Sequence, residues 1–432
     1  MTLADFADSA ARSKASSSKE RCDVVGIEVL DAASSPFPDG GLRAWLVVCG
    51  AVCTAFSTFG FVNAWGVFQA YYETNTLRDS SSSHIAWIGS LQYALIFLPA
   101  IPIGRIFDLG WFRLPFAVGS AALVISTFLI GQCTQYWHFL VTHGILVGIS
   151  CGMCYGSVIG LIGNWFQKKR GLALAISTLG TSIGGTVFPI LARVLIPRVG
   201  FPWTMRIIGF VICFTLGIAN LTLRRRIPVK NIEGGLFNLR GFRSYPFTIY
   251  CIATLAAFLG VYTLLTFIDS SAISVGVSAD FSFYLVSIAN ASTGIGRILT
   301  ALVVDKTGAV NIIVPMTLAT TLTTYLWPLA HTRNTLIAVA ALYGFTSGAY
   351  VSVFPMPLYE LGNIEDVGRR AGMALTFAAV GGLAGPPISG AIYTATGGFP
   401  AVGYYAGTVM LMSCSMMLVA RHLVLKKFWG RF

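Results

Sequence analysis

The stretch NWFQKKRGLALAISTLGTSIGG, Asn164 to Gly185, places three consecutive cations directly before a long run without a charged side chain. The cations are Lys168, Lys169 and Arg170. Of the 432 residues, 55% are hydrophobic and only 11% are charged, whereas soluble domains carry about 25% charged residues. The sequence therefore predicts a membrane protein in which cations mark the ends of membrane segments.

Apolar runs long enough to cross a bilayer recur along the chain. A bilayer core of about 30 Å needs roughly 20 apolar residues in a helix, and twelve runs of about this length carry little or no charge. They are continuous rather than alternating, and they exceed the roughly 10 residues of a barrel strand. The predicted fold class is an all-α membrane protein with twelve transmembrane helices. The runs cover residues 44–71, 85–106, 113–132, 137–162, 171–195, 203–223, 247–269, 281–303, 311–330, 335–358, 370–393 and 400–424.

The distribution of Lys and Arg predicts the orientation in the membrane, because cations of short loops favour the cytosolic face. An even number of spans puts both termini on one face. With the termini in the cytosol, 24 of the 29 Lys and Arg lie at that face, and the remaining five are Arg78, Arg193, Arg198, Arg206 and Arg333. We expect a multi-pass protein of the plasma membrane, with Lys168 to Arg170 holding the turn between spans four and five in the cytosol.

The net charge of +12 is concentrated in clusters that flank spans. This favours the lipid bilayer, including anionic headgroups, as the partner of the basic clusters, and no nucleic-acid partner is expected. The nine cysteines lie mostly within spans and do not form a disulfide framework. Cys151 and Cys154 form a C-x-x-C motif without a second pair, so neither a metal site nor a cofactor is predicted.

One long internal connection divides the spans six and six. The predicted organisation is a disordered cytosolic tail at 1–38, a six-helix bundle at 39–223, a basic cytosolic linker at 224–246, a second six-helix bundle at 247–425 and a basic tail at 426–432. Residues of the two halves match at offsets of 196 to 200, which indicates a duplicated six-span unit. The matching pairs are Asp108 with Asp305, Gly148 with Gly344, Arg170 with Arg370, and Gly185 with Gly385.

Two parallel six-span halves joined by a basic loop resemble the major facilitator superfamily, over essentially residues 40–425. Its G-x-x-x-D-x-x-G-x-[RK] signature is approached by GRIFDLGWFR, which supplies Gly104, Asp108 and Arg113, although Gly110 comes one place early. The second half keeps Asp305. Glycine lets helices approach closely, and a carboxylate can pair with a cation or a helix N-terminus of the neighbouring bundle.

We interpret this signature as a conformational latch that stabilises one state of alternating access. The alternative is a solvated turn with incidental charges. The predicted latch residues are Gly104, Asp108, Arg113, Arg170 and Asp305.

Two further stretches resemble the monocarboxylate porter family. DGGLRAW, Asp39 to Trp45, is similar to the family's D-G-G-x-x-x-W motif before the first span, and WFQKKRGLALAISTLG is similar to its motif before the fifth. The sequence of the first span, GFVNAWGVFQAYYE, is most similar to fungal members of the family. That branch includes uptake carriers and exporters of secondary metabolites. Asn63 and Thr293 stand where proton-linked lactate carriers of the family have a lysine and an aspartate, and Arg297 alone remains. Proton coupling would therefore need another group, such as Asp269, His143 or Glu73.

Arg297 is the principal candidate for substrate binding. It precedes Asp305 by eight residues, about 12 Å along a helix and hence near the bilayer midplane. A charge at that depth costs at least about 2.5 kcal/mol and usually lines a cavity or has a partner. We expect it to bind an anion such as a carboxylate or enolate; the alternative is a structural arginine capped by carbonyls or by Asn290.

Other polar residues in the spans are candidates because the resemblance assigns their spans to the cavity wall. For each, an interhelical hydrogen bond is the alternative, and the many aromatic side chains are interpreted as packing. The predicted substrate-binding residues beside Arg297 are Asn63, Gln92, Tyr155, Asn290 and Thr293. Small residues four apart predict close helix packing at Gly180, Gly184, Gly381 and Gly385.

Secondary transport is the predicted function, by alternating access about a midplane site. A pump is excluded by the missing G-x-x-x-x-G-K-[ST] motif, and an enzyme is not expected because His138 and His143 have no acid in their span. We expect export of a small organic acid or amphipathic metabolite. The alternatives are uptake of a monocarboxylate or vitamin-like nutrient, and a membrane sensor that binds a nutrient without transporting it.

Overall fold

The computed structural model describes residues 38–80, 82–226, 239–362 and 367–426. The prediction of a disordered tail at 1–38 lies outside the described residues apart from Pro38. Most of the predicted linker, at 227–238, and the basic tail at 427–432 also lie outside them.

Twelve helices are long and apolar enough to cross a membrane, which confirms the predicted fold class. Their ends differ from the predicted ends by at most five residues. The described residues contain no strand. The helices are α1 Leu42–Thr76, α2 His84–Asp108, α3 Arg113–Ile130, α4 Tyr136–Gly163, α5 Arg170–Val199, α6 Phe201–Thr222, α7 Tyr245–Ser274, α8 Tyr284–Thr307, α9 Val310–Leu329, α10 Arg333–Glu360, α11 Val367–Thr396 and α12 Phe399–Leu425.

Single glycines end two of the helices and permit tight reversals. Gly200 has φ 80° between α5 and α6, and Pro202 follows in the first turn of α6. Gly308, with φ 89°, ends α8 directly before α9. Glycine adopts this left-handed conformation without the steric cost of a Cβ atom. Helices α5 and α6, and likewise α8 and α9, are therefore consecutive in the chain and run antiparallel.

Contacts between the two sets of six helices follow the duplication. α5 packs against α8, and α2 packs against α11. Since α2 corresponds to α8 and α5 to α11 in the repeat, the two pairings are the same contact made twice.

The repeated glycines place α5 against α1 and α11 against α7. A Cβ atom added to Gly184 would lie 2.6 Å from the carbonyl oxygen of Phe56 and 2.7 Å from the Cα atom of Gly60. One added to Gly381 would lie 2.5 Å from the carbonyl oxygen of Leu255. Gly180 and Gly385 face the carbonyls of Val52 and Leu259 in the same way. Both contacts therefore depend on the absence of a side chain.

The first and seventh helices are interrupted at corresponding depths. In α1 a π-helical stretch, Phe56–Gly60, is followed by a turn at Asn63 and Ala64, and helix resumes at Trp65. In α7 the interruption is a single turn residue, Tyr262. Such interruptions of membrane helices release backbone groups from the helical ladder and occur where helices line a cavity.

Candidate substrate cavity and latch

A cavity of about 70 Å³ lies where the two sets of helices meet. At roughly 10 to 15 Å³ per water, it holds only a few water molecules. Residues of α1, α2, α4, α5, α7, α8 and α10 line it. Five of the predicted substrate-binding residues are brought together here: Asn63, Tyr155, Asn290, Thr293 and Arg297.

Arg297 projects from α8 into the cavity and is only 4% exposed. Its Nη1 donates a hydrogen bond to the carbonyl oxygen of Thr178 in α5. Its Nε is buried and has no hydrogen-bond partner among the described residues, and within the same residues the guanidinium makes no ion pair. A buried cation with an unused donor is costly unless an acceptor, such as an anion, is supplied.

Three neighbouring polar residues already make hydrogen bonds. Asn290 Nδ2 donates to the carbonyl oxygen of Gly185 in α5 at 3.1 Å. Thr293 Oγ1 donates to the carbonyl oxygen of Gly344 in α10 at 3.0 Å. Asn63 Oδ1 accepts from Tyr93 Oη in α2 at 3.2 Å. The interhelical hydrogen bonds anticipated as the alternative for these residues are thus present, within the wall of the cavity.

Gln92 does not line the cavity, in contrast to the prediction. It is fully buried on the side of α2 that faces α4, where its backbone lies beside Gly148. Its side-chain amide has no hydrogen-bond partner among the described residues. The sequence predicts how deep a polar residue of a span lies in the membrane. The direction in which the residue points around the helix axis depends on how the helix packs.

Besides the predicted Tyr155, aromatic rings that the sequence assigned to packing line the cavity. Tyr262 does so, whereas Trp65 and Tyr350 do not. A chain with 13% aromatic residues offers no sequence signal that separates the two groups. The remaining aromatic lining residues are Phe59, Phe97, Phe258 and Phe354.

Asp108, at the end of α2, caps the start of α11. Its Oδ2 accepts a hydrogen bond from the backbone N–H of Arg369 at 3.0 Å. A Cβ atom added to Gly368 would lie 2.5 Å from Asp108 Oδ1, and the backbones of Gly104 and Gly368 are in close contact. A carboxylate at this position is stabilised by the partial positive charge of the helix N-terminus.

Asp305, at the end of α8, caps the start of α5 in the corresponding way. Its Oδ1 and Oδ2 accept from the backbone N–H groups of Gly171 and Leu172, at 2.8 and 3.0 Å. We call the end of the molecule that carries Asp108 and Asp305 the latch end, and the opposite end the far end. The two carboxylates join the first six helices to the last six at the latch end.

The two cations of the predicted latch differ in their positions. Arg170 is buried, and its guanidinium carbon lies 4.5 Å from the ring centroid of Tyr359 in α10, a cation–π contact at the latch end. Arg113 is exposed at the start of α3 and makes no ion pair among the described residues. The structure therefore does not bring Arg113 together with Asp108.

Arg225 contacts the latch instead, although sequence reasoning treated its cluster only as a membrane flank. Its Nη1 donates to the carbonyl oxygen of Phe107, and the guanidinium carbon lies 4.8 Å from the centroid of the Phe107 ring. Burial lowers the pKa of Arg225, and the charge of Asp108 nearby raises it. The basic residue is thus placed beside the latch carboxylate.

Asp39 is a structural residue that sequence reasoning missed. Its Oδ1 accepts from three successive backbone N–H groups, those of Gln167, Lys168 and Lys169, at 2.7, 2.7 and 3.2 Å. Asp39 thus accepts from the backbone N–H groups directly before Arg170, and Asp305 accepts from those directly after it. The available signal was the D-G-G motif itself, since an aspartate with φ 46° beside flexible glycines is suited to a turn.

The comparisons with known proteins agree with this architecture. The Major Facilitator Superfamily model matches residues 48–356 and 250–428. The chain is 36% identical over 381 residues to an aspyridones efflux protein of Emericella nidulans, covering 88% of this chain and 77% of that protein. It is 30% identical over 398 residues to an agnestins efflux protein of Paecilomyces divaricatus, covering 92% of each.

Two solved structures share the fold. One is a human organic anion transporter, with a TM-score of 0.69 at 15% identity over 87% of this chain and 98% of the other. The second is the fucose:proton symporter of E. coli, with a TM-score of 0.68 at 13% identity over 88% and 99%. The duplicated twelve-helix fold, the family match and the relatives lead to one conclusion: the chain belongs to the major facilitator superfamily and is a multi-pass membrane transporter.

Proposed function

We propose that this transporter exports a small organic acid or another amphipathic metabolite. The observation that carries the proposal is Arg297, a buried cation in the cavity with a donor that no described residue uses. An anionic group supplied by a substrate would satisfy it. Relatives named as efflux proteins for aspyridones and agnestins support the direction of transport.

Alternating access is the mechanism that we propose for it. The two six-helix bundles rock about the cavity, and the caps of Asp108 and Asp305 hold the latch end closed in one state. Opening that end requires both carboxylates to leave the helix N-termini. The bonds from Arg297 to Thr178 and from Asn290 to Gly185, which join α8 to α5, would have to stretch or exchange as the cavity opens.

We further propose membership of the monocarboxylate porter family, on the strength of the Asp39 to Trp45 motif and the basic motif before α5. The usual proton-and-lactate mechanism of that family does not carry over, since Asn63 and Thr293 replace its charged residues. A proton-coupled mechanism would use His143, Glu73 or Asp269, none of which lines the cavity. We place the latch end and both termini in the cytosol, and the protein in the plasma membrane.

The proposal is tested by comparing the metabolites of cells with and without the chain, inside and outside the cells. The Arg297→Ala variant is the test case, and Arg206→Gln is the control because Arg206 contacts Trp203 outside the cavity lining. We expect an organic anion that accumulates outside only with the intact protein or the control.

Other outcomes would contradict the proposal in defined ways. Depletion of a compound from the medium would establish uptake in place of export. Normal export by Arg297→Ala would overturn the assignment of the site. No change in any metabolite, with the protein present in the membrane, would favour a sensor that binds without transporting.

A further inference from the structure

One side of the cavity is formed by rings that cross between the two bundles. Phe59 packs edge-to-face on Tyr155, with ring centroids 4.6 Å apart, and also contacts Phe97 at 5.5 Å. Phe97 of α2 then meets Phe258 of α7 edge-to-face at 5.4 Å. Phe258 continues the series to two further rings. We call the set the aromatic band: Phe59, Phe97, Tyr155, Phe258, Tyr262 and Phe354.

In the wall of the cavity, a different pair of helices supplies hydrogen bonds between the bundles. There α8 reaches α5 through the bonds of Arg297 and Asn290 to backbone carbonyls. The aromatic band crosses between α2 and α7, whereas the polar bonds cross between α8 and α5. The cavity is therefore amphipathic, with its apolar contribution made mainly of π surfaces.

Both sets of contacts can be exchanged for a ligand of the same chemistry. A flat ring inserted at Phe97 and Phe258 would replace one edge-to-face contact by two ring contacts of similar geometry. An acidic group at Arg297 would supply the acceptor that Nε lacks, as a charge-assisted hydrogen bond. A saturated body of equal size would fill the space without the ring contacts.

We propose that the substrate class is a planar aromatic or conjugated anion, with its acidic group on Arg297 and its ring between Phe97 and Phe258. This inference rests on the proposed export of an organic acid or amphipathic metabolite and makes it more specific. The site selects by two features at once, negative charge and a flat π system.

Equilibrium binding to the purified full-length protein tests the inference with three probes. These are 2-naphthoate, decalin-2-carboxylate as its saturated counterpart, and 2-naphthylmethanol as its neutral counterpart. We expect 2-naphthoate to bind about 3- to 10-fold tighter than the saturated acid, the range that aromatic pairing supplies. It should also bind tighter than the neutral alcohol.

Variants separate the two features. Phe97→Leu and Phe258→Leu should remove the preference for 2-naphthoate over the saturated acid, while Phe214→Leu should keep it because Phe214 is an exposed ring of α6. Arg297→Gln should weaken both acids at least about 10-fold and leave the alcohol unchanged, with Arg206→Gln as its control. If a Phe→Leu variant is not monodisperse in gel filtration, Phe97→Met provides the same test with a flexible apolar side chain.

Equal affinity for the two acids would overturn the aromatic part of the inference, and equal affinity for naphthoate and the alcohol would overturn the anionic part. Failure of both acids to bind, with Arg297-dependent export intact in cells, would overturn this inference alone. Failure of both binding and export would overturn the proposed function with it.

Discussion

At the scale of single residues, the proposed latch depends on two carboxylates and on backbone donors of the opposite bundle. Asp108 accepts from Arg369 N–H, and Asp305 accepts from Gly171 and Leu172 N–H. These bonds are made to backbone N–H groups. We expect both positions to favour an acid of this length, since the carboxylate must reach a helix N-terminus in another bundle.

Asparagine at either position should weaken the latch without changing the shape of the side chain. Loss of a charge at a helix N-terminus costs about 0.3 to 2 kcal/mol, or roughly 2- to 30-fold in the equilibrium between states. We expect Asp108→Asn and Asp305→Asn to slow turnover with little loss of substrate binding, measured by transport rate and equilibrium binding. Asp79→Asn, an exposed acid at the far end, is the control. A binding defect as large as the turnover defect would count against the latch.

Asp39 should contribute to stability. We expect Asp39→Ala to lower the free energy of unfolding by about 0.5 to 2 kcal/mol, the usual contribution of a side chain that caps a helix start. Asp39→Asn should cost less, because asparagine retains an acceptor and tolerates the positive φ. Thermal unfolding in detergent measures both. Equal loss in the two variants would show that charge, rather than the acceptor or the backbone, decides the contribution.

The sequence located residues along the membrane normal better than around a helix. Arg297 was predicted at the cavity because a charge at that depth needs a cavity or a partner. Asn63 and Asn290 were predicted there because the family resemblance assigns their spans to the cavity wall. Gln92 satisfies the same rule and faces α4 instead. Phe97 and Phe258 were not predicted, because an apolar ring in a span is equally suited to packing.

At the scale of helices, the span limits followed from the length of the apolar runs, whereas the interruptions did not. Asn63 and Tyr262 stand in stretches with no proline. Asn63 and the nearby Gly60, Gly66 and Gly260 are a weak turn signal in a chain with 46 glycines. Whether the helical ladder is interrupted there depends on neighbours such as Tyr93, which hydrogen-bonds to Asn63.

The contact of α5 with α1 should be sensitive to one methyl group. A Cβ atom at Gly184 would press on Phe56 and Gly60, so Gly184→Ala should lower the unfolding temperature and the transport rate. Gly217→Ala is the matched control, since its Cβ atom would meet nothing within 4 Å and alanine favours a helix by about 1 kcal/mol. Equal unfolding temperatures and transport rates in the two variants would show that α1 and α5 can move apart to accept the methyl group without loss of stability or activity.

At the scale of the whole molecule, the charge pattern predicts which face of the membrane each end meets. We expect a membrane-impermeant maleimide to label Asp79→Cys in intact cells, and Lys168→Cys only after permeabilisation. Both positions are exposed, at the far end and the latch end respectively. The unsubstituted protein, with its own nine cysteines, gives the background. Labelling in the opposite order would reverse the orientation and the direction assigned to transport.

The interruptions of α1 and α7, together with the carboxylate caps of the latch end, are expected to give the two ends of the molecule different stiffness. Beyond Asn63 and Tyr262, each helix continues as a short half-helix toward the far end, Trp65–Tyr71 and Thr263–Ser274. At each interruption the backbone departs from the regular α-helical hydrogen-bond ladder. Bending at that point therefore breaks few bonds.

Toward the latch end, α2 and α10 are interrupted as well, at Leu98 and Pro99 and at Phe354 to Met356. In the proposed mechanism, however, that end separates only when the caps of Asp108 and Asp305 are both lost. Occlusion of a substrate at the far end is therefore expected to be a fast local step, followed by a slower and more cooperative separation at the latch end.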